Sequence, residues 1–210
     1  MSKYKVKEIY FTLQGEGART GRAAVFLRFT GCNLWSGREE DRGEAVCQFC
    51  DTDFIGMDGI EGGKYSADDL ADKVDSLWPV ANGYKYVICT GGEPLLQLDE
   101  KLINALHLKG FEIGIETNGT LPVPTGVDWI CVSPKANTDV VVQKGNELKL
   151  VVLQNNLMPD FFQNWDFAHF YLQPMDGPLV SEFTKWAVEY CLQNPKWKLS
   201  LQTHKMLGIR

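Results

Sequence analysis

Cys32, Cys47 and Cys50 place three thiols within nineteen residues, fourteen residues apart and then two. Iron-sulfur clusters of the [4Fe-4S] type take thiolate ligands. With only three, one iron stays free to bind an incoming molecule. Two other chemistries fit the same cysteines. A closed zinc site wants four ligands, so Asp51, His107, His169 or His204 would have to complete it, and none has finger-like spacing. A redox pair at Cys47 and Cys50 would leave Cys32 idle, and the intervening Gln48 and Phe49 lend it no specific support. Cys89 and Cys131 end apolar runs and Cys191 sits in an amphipathic stretch. All three read as core packing.

Other polar and glycine-rich groups recur at TGC (30–32), TGGEP (90–94), ETNG (116–119), SPK (133–135), QPMD (173–176) and QTHK (202–205). Gly91 and Gly92 let backbone approach a ligand closely, although a plain turn before Pro94 explains them too. Glu116 can accept hydroxyls, Ser133 and Lys135 can bond a ribose or a carboxylate, and Gln173, Pro174, Met175 and Asp176 can frame a flat ring. Each alone is equally a cap or a solvated loop residue. Arg28 stands among apolar strand neighbours as a bidentate fork for a carboxylate, or as the partner of Glu16 or Glu116 in an ion pair. Phe49 stacks on a ring or simply packs.

The elements that must position these groups alternate. Strand-like runs cover 23–29, 84–89, 111–116, 128–132, 147–153, 168–172 and 197–201, with a further one near 5–11. Helical patterns cover 66–78, opened by Ser66 with Asp69 three residues on, 98–110, closed by Gly110, and 179–193. Near-continuous apolar strands between amphipathic helices predict an α/β fold with a parallel sheet. Each polar group above follows a strand, and parallel strands end on one edge, so remote segments converge there. A full eight-stranded barrel takes about 250 residues. The 210 residues present therefore predict one domain, 1–210, built as an incomplete TIM-like barrel of six to seven mostly parallel strands with outer helices. An insertion around 33–46 enlarges the cysteine-bearing loop.

Bulk properties narrow the partners. A net charge of −6 opposes a broad nucleic-acid footprint. No apolar stretch has signal-peptide or membrane-spanning length. Thiols kept reduced suggest the cytoplasm. A small molecule is the expected ligand.

The motifs together resemble the radical S-adenosylmethionine superfamily, and within it the 7-carboxy-7-deazaguanine synthases. The resemblance runs through LQGEG (13–17), Arg28, TGCNLWS (30–36), the enlarged cysteine spacing, CDT (50–52), TGGEPLLQ (90–97), ETNG, SPK, QPMDG and QTHK. The superfamily usually shows Cys-x3-Cys-x2-Cys with an aromatic residue before the last cysteine, here Phe49. Ser36 stands where many relatives carry the second cysteine, and Cys47 takes that place after the insertion. The resemblance implies radical ring contraction of 6-carboxy-5,6,7,8-tetrahydropterin to 7-carboxy-7-deazaguanine with loss of ammonia, toward queuosine and other deazapurines. It implies a [4Fe-4S] cluster on Cys32, Cys47 and Cys50, S-adenosylmethionine, and Mg2+ at Thr52. The cofactor residues would be Phe49, Asp51, Gly91, Gly92, Glu93, Glu116, Ser133, Lys135, Gln173, Pro174, Met175 and Asp176. The pterin would meet Leu13, Gln14, Gly15, Glu16, Arg28, Thr90, His204 and Arg210, whose terminal carboxylate would close the pocket. An electron donor such as flavodoxin or ferredoxin is implied, and an open barrel edge suggests a homodimer. A zinc-stabilised binding module and a glycyl-radical activating enzyme are the competing functions, the second lacking both the usual cysteine spacing and a recognisable docking segment.

Overall fold

The structure, a computed structural model, describes residues 3–79 and 83–210. One nine-stranded sheet runs through it: β1 (Tyr4–Leu13), β2 (Ala23–Phe29), β3 (Gly63–Tyr65), β4 (Tyr86–Gly91), β5 (Glu112–Thr117), β6 (Trp129–Val132), β7 (Lys144–Val152), β8 (Asp166–Pro174) and β9 (Trp197–Leu199). The spatial order is β3-β1-β2-β4-β5-β6-β7-β8-β9, with β3 and β9 at the ends and unpaired to each other. From β2 to β9 every pairing is parallel. The parallel series thus has seven strands in an unclosed sheet, the partial barrel expected. Beyond that expectation, β1 pairs antiparallel with β2 and carries the short β3 on its other side.

The period-two alternation of the strands sorts side chains to two faces. Val25, Leu27 and Phe29 of β2, with Val87 and Cys89 of β4 and Ile113 and Ile115 of β5, face α1 (Ala67–Ser76) and α2 (Glu100–Leu108) in the larger core. Leu148 and Leu150 of β7 and Phe170 and Leu172 of β8 form a second core with Ala187 of α3 (Val180–Gln193). On the opposite face the apolar cluster shrinks to Ala24, Phe26, Tyr86 and Ile88. The rest of that face is polar.

Helices cover only three of the six parallel crossovers, because β5–β6 and β6–β7 are joined by loops and β7–β8 by a single 3-10 turn. The strand expected from residue 84 starts at Tyr86, since Tyr84 has φ of +60° and belongs to the preceding turn. The terminal QTHK, expected as a plain post-strand segment, opens a fourth helix, α4 (Thr203–Leu207). Among the described residues no helix is long and apolar enough to cross a membrane.

Both predicted caps form: Ser66 Oγ accepts from the Asp69 N–H at 3.2 Å, and Gly110, with φ of +80°, closes α2 with its N–H on the His107 carbonyl at 2.8 Å. Asp99, which the sequence reading did not single out, caps the start of α2, its Oδ1 accepting from the Leu102 N–H at 3.0 Å. Asp99 Oδ1 also accepts from Tyr4 Oη at 2.6 Å, tying α2 to β1. Asp99→Ala should therefore lower unfolding free energy by about 1–2 kcal/mol, while Asp99→Asn should lose less, as chemical denaturation of the two variants will measure.

Candidate active site

Two adjoining cavities open at the carboxyl ends of the parallel strands. The first, 200 Å³, is lined by all three clustered cysteines together with Phe49, Asp51, Thr52, Gly91, Gly92, Glu116, Ser133, Lys135 and Gln173 through Asp176. The second, 420 Å³, is lined by Leu13, Gln14, Gly15, Glu16, Arg28, Thr90, His204 and Arg210. Asp51, Thr52, Glu16, Glu116 and Gln202 line both. Every residue that the family resemblance nominates for a site thus borders one of the two cavities, except Glu93, whereas His107, on Asp128, and His169, stacked on Trp129, border neither.

Glu93 is fully buried and stands behind the wall. Its carboxylate accepts from Thr117 Oγ1 at 2.7 Å, the Asn118 N–H at 2.8 Å and the Leu95 N–H at 3.0 Å. Burial pushes its carboxyl upward, against the pull of those donors. It anchors the turn after β4 to the end of β5. Gly92 has a packing requirement of its own: a Cβ there would collide with the Gly31 carbonyl oxygen and lie 2.8 Å from Cys32 Cβ.

The thiols ring the first cavity. The Cys32 Sγ accepts from the Leu34 N–H at 3.4 Å, and the Cys50 thiol reaches the Thr52 carbonyl at 3.9 Å. Burial raises the Cys32 and Cys47 thiols, while the Lys135 ammonium favours the Cys47 thiolate. Lys135 donates to both the carbonyl and the hydroxyl of Ser133 at 2.7 Å and lies 5.8 Å from the centre of the Phe49 ring. Among the described residues no three His, Cys, Asp or Glu side chains converge on one ion position. A closed zinc site needs that convergence, whereas three thiols spread around a cavity suit a cluster of several irons.

These neighbours in space are neighbours in known sequence too. Residues 42–146 match the family model of the Radical SAM superfamily. The 7-carboxy-7-deazaguanine synthase of Bradyrhizobium diazoefficiens is 60% identical over 208 residues, 99% of each chain. This chain belongs to the 7-carboxy-7-deazaguanine synthase family. The synthase of Burkholderia multivorans is 58% identical over 98% of this chain and 99% of its own. The crystal structure of QueE from Escherichia coli superposes with a TM-score of 0.68 at 27% identity, covering 95% of this chain and 94% of that one. Synthase membership carries a radical S-adenosylmethionine enzyme's cofactors, a [4Fe-4S] cluster and S-adenosylmethionine.

Within this synthase fold several groups sit otherwise than the sequence suggested. Arg28 pairs with neither Glu16 nor Glu116: its Nε donates to Glu8 Oε1 at 2.9 Å and its Nη2 to Tyr10 Oη at 3.0 Å. Both partners lie on β1, whose antiparallel register sets Glu8 opposite Arg28. Arg210 reaches the same carboxylate, its Nη1 lying 3.0 Å from Glu8 Oε2. His204 packs over Gly15, where a Cβ would strike the imidazole, and Thr203 Oγ1 donates to the Gly15 carbonyl at 2.9 Å. Lys205 bridges Asp51 at 2.7 Å and Asp176 at 2.6 Å. Cys131 is buried as expected, but with its thiol beside Glu116 and Glu147. Cys89 and Cys191 pack with apolar neighbours as expected.

Lys149 and Glu147 escaped the sequence reading altogether. Lys149 Nζ lies 2.6 Å from Glu16 Oε2 and 2.9 Å from Glu116 Oε2. Burial opposes the charge on Glu16, yet the Lys149 ammonium holds its carboxyl at about 2. Glu147 has the opposite fate. Burial and the nearby Glu116 raise it to about 7, against Lys149; the Ala18 N–H reaches its Oε2 at 3.1 Å and Oε1 has no partner. A signal existed: ELKLVVL sets two charges two residues apart in a buried strand, hence on one face.

Because the Glu147 carboxyl is raised in the fold above its ordinary value of 4.5, its contribution is fully present below that value and lost as pH rises through about 7. Glu147→Gln should match the parent's unfolding free energy near pH 5 and exceed it near pH 8, by on the order of 1–3 kcal/mol. Melting curves across that range will read the difference.

Proposed function

We propose that the protein converts 6-carboxy-5,6,7,8-tetrahydropterin to 7-carboxy-7-deazaguanine, with loss of ammonia, in deazapurine biosynthesis. The observation that carries this reading is the adjoining pair of cavities, one ringed by three thiols and the other by Arg28, Gln14, Glu16, Thr90 and His204, with a shared wall. When bound, the cluster and S-adenosylmethionine supply the single electron and the 5'-deoxyadenosyl radical on which ring contraction depends.

The chain's own residues do the rest. Cys32, Cys47 and Cys50 hold three corners of the cluster, and their three-fold count leaves the fourth to the cofactor. Gly91 and Gly92 admit the methionine end to bare backbone, with Glu93 fixing that turn from behind. Lys135 and Ser133 offer a cation and a hydroxyl to the cofactor's carboxylate and ribose, and Glu116 accepts from hydroxyls. Gln173, Pro174, Met175 and Asp176 frame the adenine, with Phe49 beside it and Asp51 at the rim. Across the wall Arg28 binds the substrate carboxylate, held in orientation by Glu8 and Tyr10. Gln14, Glu16, Thr90 and His204 meet the polar edge of the pterin, and Leu13, Gly15 and Arg210 complete the pocket. Thr52 would hold Mg2+, a role that rests on the likeness of CDT (50–52) to the family's motif, its hydroxyl being an oxygen donor of the kind hard cations take.

Residues 1–210 act as one domain, a reading supported by the single continuous sheet. Reduction by flavodoxin or ferredoxin, a homodimeric assembly and a cytoplasmic location complete the proposal, the last supported by six free cysteines.

Anaerobic incubation with carboxytetrahydropterin deuterated at C6, reductant and S-adenosylmethionine should yield carboxydeazaguanine, with label recovered in 5'-deoxyadenosine or S-adenosylmethionine. Product without any transferred label would remove the hydrogen-abstraction step, and no product would remove the reading. Arg28→Ala should keep full iron and sulfide content while raising the substrate KM by about 30-fold or more. Cys32→Ala should lose the cluster itself, as iron and sulfide analysis will show.

A further inference from the structure

The partition between the two cavities is built from one cation and two carboxylates. Lys149, on β7, has only 4% of its side chain exposed, and its ammonium touches Glu16 at 2.6 Å and Glu116 at 2.9 Å. Each carboxylate has its other oxygen occupied by a glutamine. Gln202 Nε2 donates to Glu16 Oε1 at 3.0 Å, and Gln14 Nε2 donates to Glu116 Oε1 at 3.0 Å. The Glu16 N–H closes the ring on Gln14 Oε1 at 3.2 Å. Four separate segments meet here: the β1–β2 loop, β5, β7 and the segment after β9.

Two carboxylates and one ammonium leave the partition with one net negative charge. Carboxylates this close repel one another and, buried, would rather be neutral. The ammonium between them removes both penalties. An ionised carboxylate accepts from hydroxyls and N–H groups without donating, which suits ribose hydroxyls on one side and a reduced pterin's N–H groups on the other. Glu16 and Glu116 border both cavities, so one ammonium governs acceptors that serve two ligands.

We propose that Lys149 is a positioning residue for both ligands: at the edge of the first cavity, its ammonium taken up by the two carboxylates, it fixes Glu16 and Glu116 as ionised acceptors in the shared wall, so that binding in each cavity depends on one cation. The proposal rests on the synthase reading for the identity of the ligands. The other charged and titratable groups around the partition are Cys131 on β6, Glu147 on β7, His204 near Glu16, and Lys135 in the wall of the first cavity. Among the described residues none of them hydrogen-bonds the Glu16 carboxylate, whose two oxygens Lys149 and Gln202 occupy.

The test uses anaerobically reconstituted holoenzyme of the parent, K149M and K149R. Iron and sulfide content, thermal midpoint, and equilibrium binding of carboxytetrahydropterin and of S-adenosylmethionine are measured between about pH 5 and 8. K149M should retain its iron while binding both ligands about 30-fold or more weakly. Pterin binding by K149M should fade toward the acid end of that range, because Glu16 without its counter-ion takes up a proton there, whereas the parent, its Glu16 held at about 2, should show no such fade. K149R keeps a charge and should recover most of the affinity and the parent's pH response. If K149M fails to fold, K149R alone decides, since a positioning cation predicts the parent's pH response in it. K149M binding both ligands within about threefold of the parent, or K149R losing pterin binding at the acid end with intact iron, would overturn the proposal. A parent that binds no pterin while K149M and parent both hold iron would sink the synthase reading instead.

Discussion

A buried ammonium between two carboxylates sets the terms for everything around it. Water would solvate these charges for nothing; inside a sheet they are tolerable only if each is satisfied by a fixed neighbour. Lys149 on β7 meets Glu116 from β5 and Glu16 from the β1–β2 loop, and the glutamines 14 and 202 complete their bonds. The strands supplying these groups must hold their register, because a slip of one residue turns Lys149 into the apolar core and Leu148 or Leu150 into the cavity. The parallel pairing of β7 with β8 over eight residue pairs provides that hold.

The polar face also explains why the barrel does not close. A closed barrel of this size fills its interior with packed side chains. Here the interior apolar cluster is small, limited to Ala24, Phe26, Tyr86 and Ile88, and above it lie charges. Arg19 stacks over the Trp129 ring at 4.0 Å and pairs with Glu112, filling the lower part of the space. What remains at the strand ends is room for two ligands. The antiparallel β1 then serves the site directly: its Glu8 and Tyr10 orient Arg28, and α4 packs back over the glycine after it.

Much of this was legible in the chain. The seven parallel strands follow from apolar runs, and the convergence of polar groups follows from parallel strands sharing one edge. The thiol count pointed to a cluster with an open corner, though spacing alone left zinc in contention. Identity of the chemistry came from likeness to a family, not from residue spacing. What stayed hidden had a common cause. The partner of Arg28 depends on the β1–β2 register, which no periodicity reveals, and Cys131 looks apolar by its neighbours in sequence while facing Glu116 across a strand pair. Lys149 lies inside an apolar run that periodicity reads only as a strand, although a lysine in a strand buried on both faces has to find an anion or give up its charge.

Fourteen residues separate Cys32 from Cys47, and the structure shows how the chain spans them. Ser36 donates to Asp41 at 2.6 Å and takes the Arg38 N–H at 3.2 Å, so its hydroxyl is engaged in opening a loop. A 3-10 segment, Glu39–Glu44, carries the chain out and back. The loop is then pinched shut, with the Val46 and Cys47 N–H groups both donating to the Leu34 carbonyl, at 3.1 and 3.4 Å. Arg42 seals it from within, stacking 4.1 Å from the Trp35 ring centre and donating to the carbonyls of Gln48 and Cys50. Trp35 in turn packs edge-on against Phe54 at 5.6 Å. Lengthening a loop costs little once its ends are fixed, since closure entropy grows only with the logarithm of length. The intervening residues therefore form a self-contained excursion, and Cys47 is returned beside Leu34, two residues in sequence from Cys32. A long spacing along the chain has become a short one in space, which is all that three thiols sharing one cavity require.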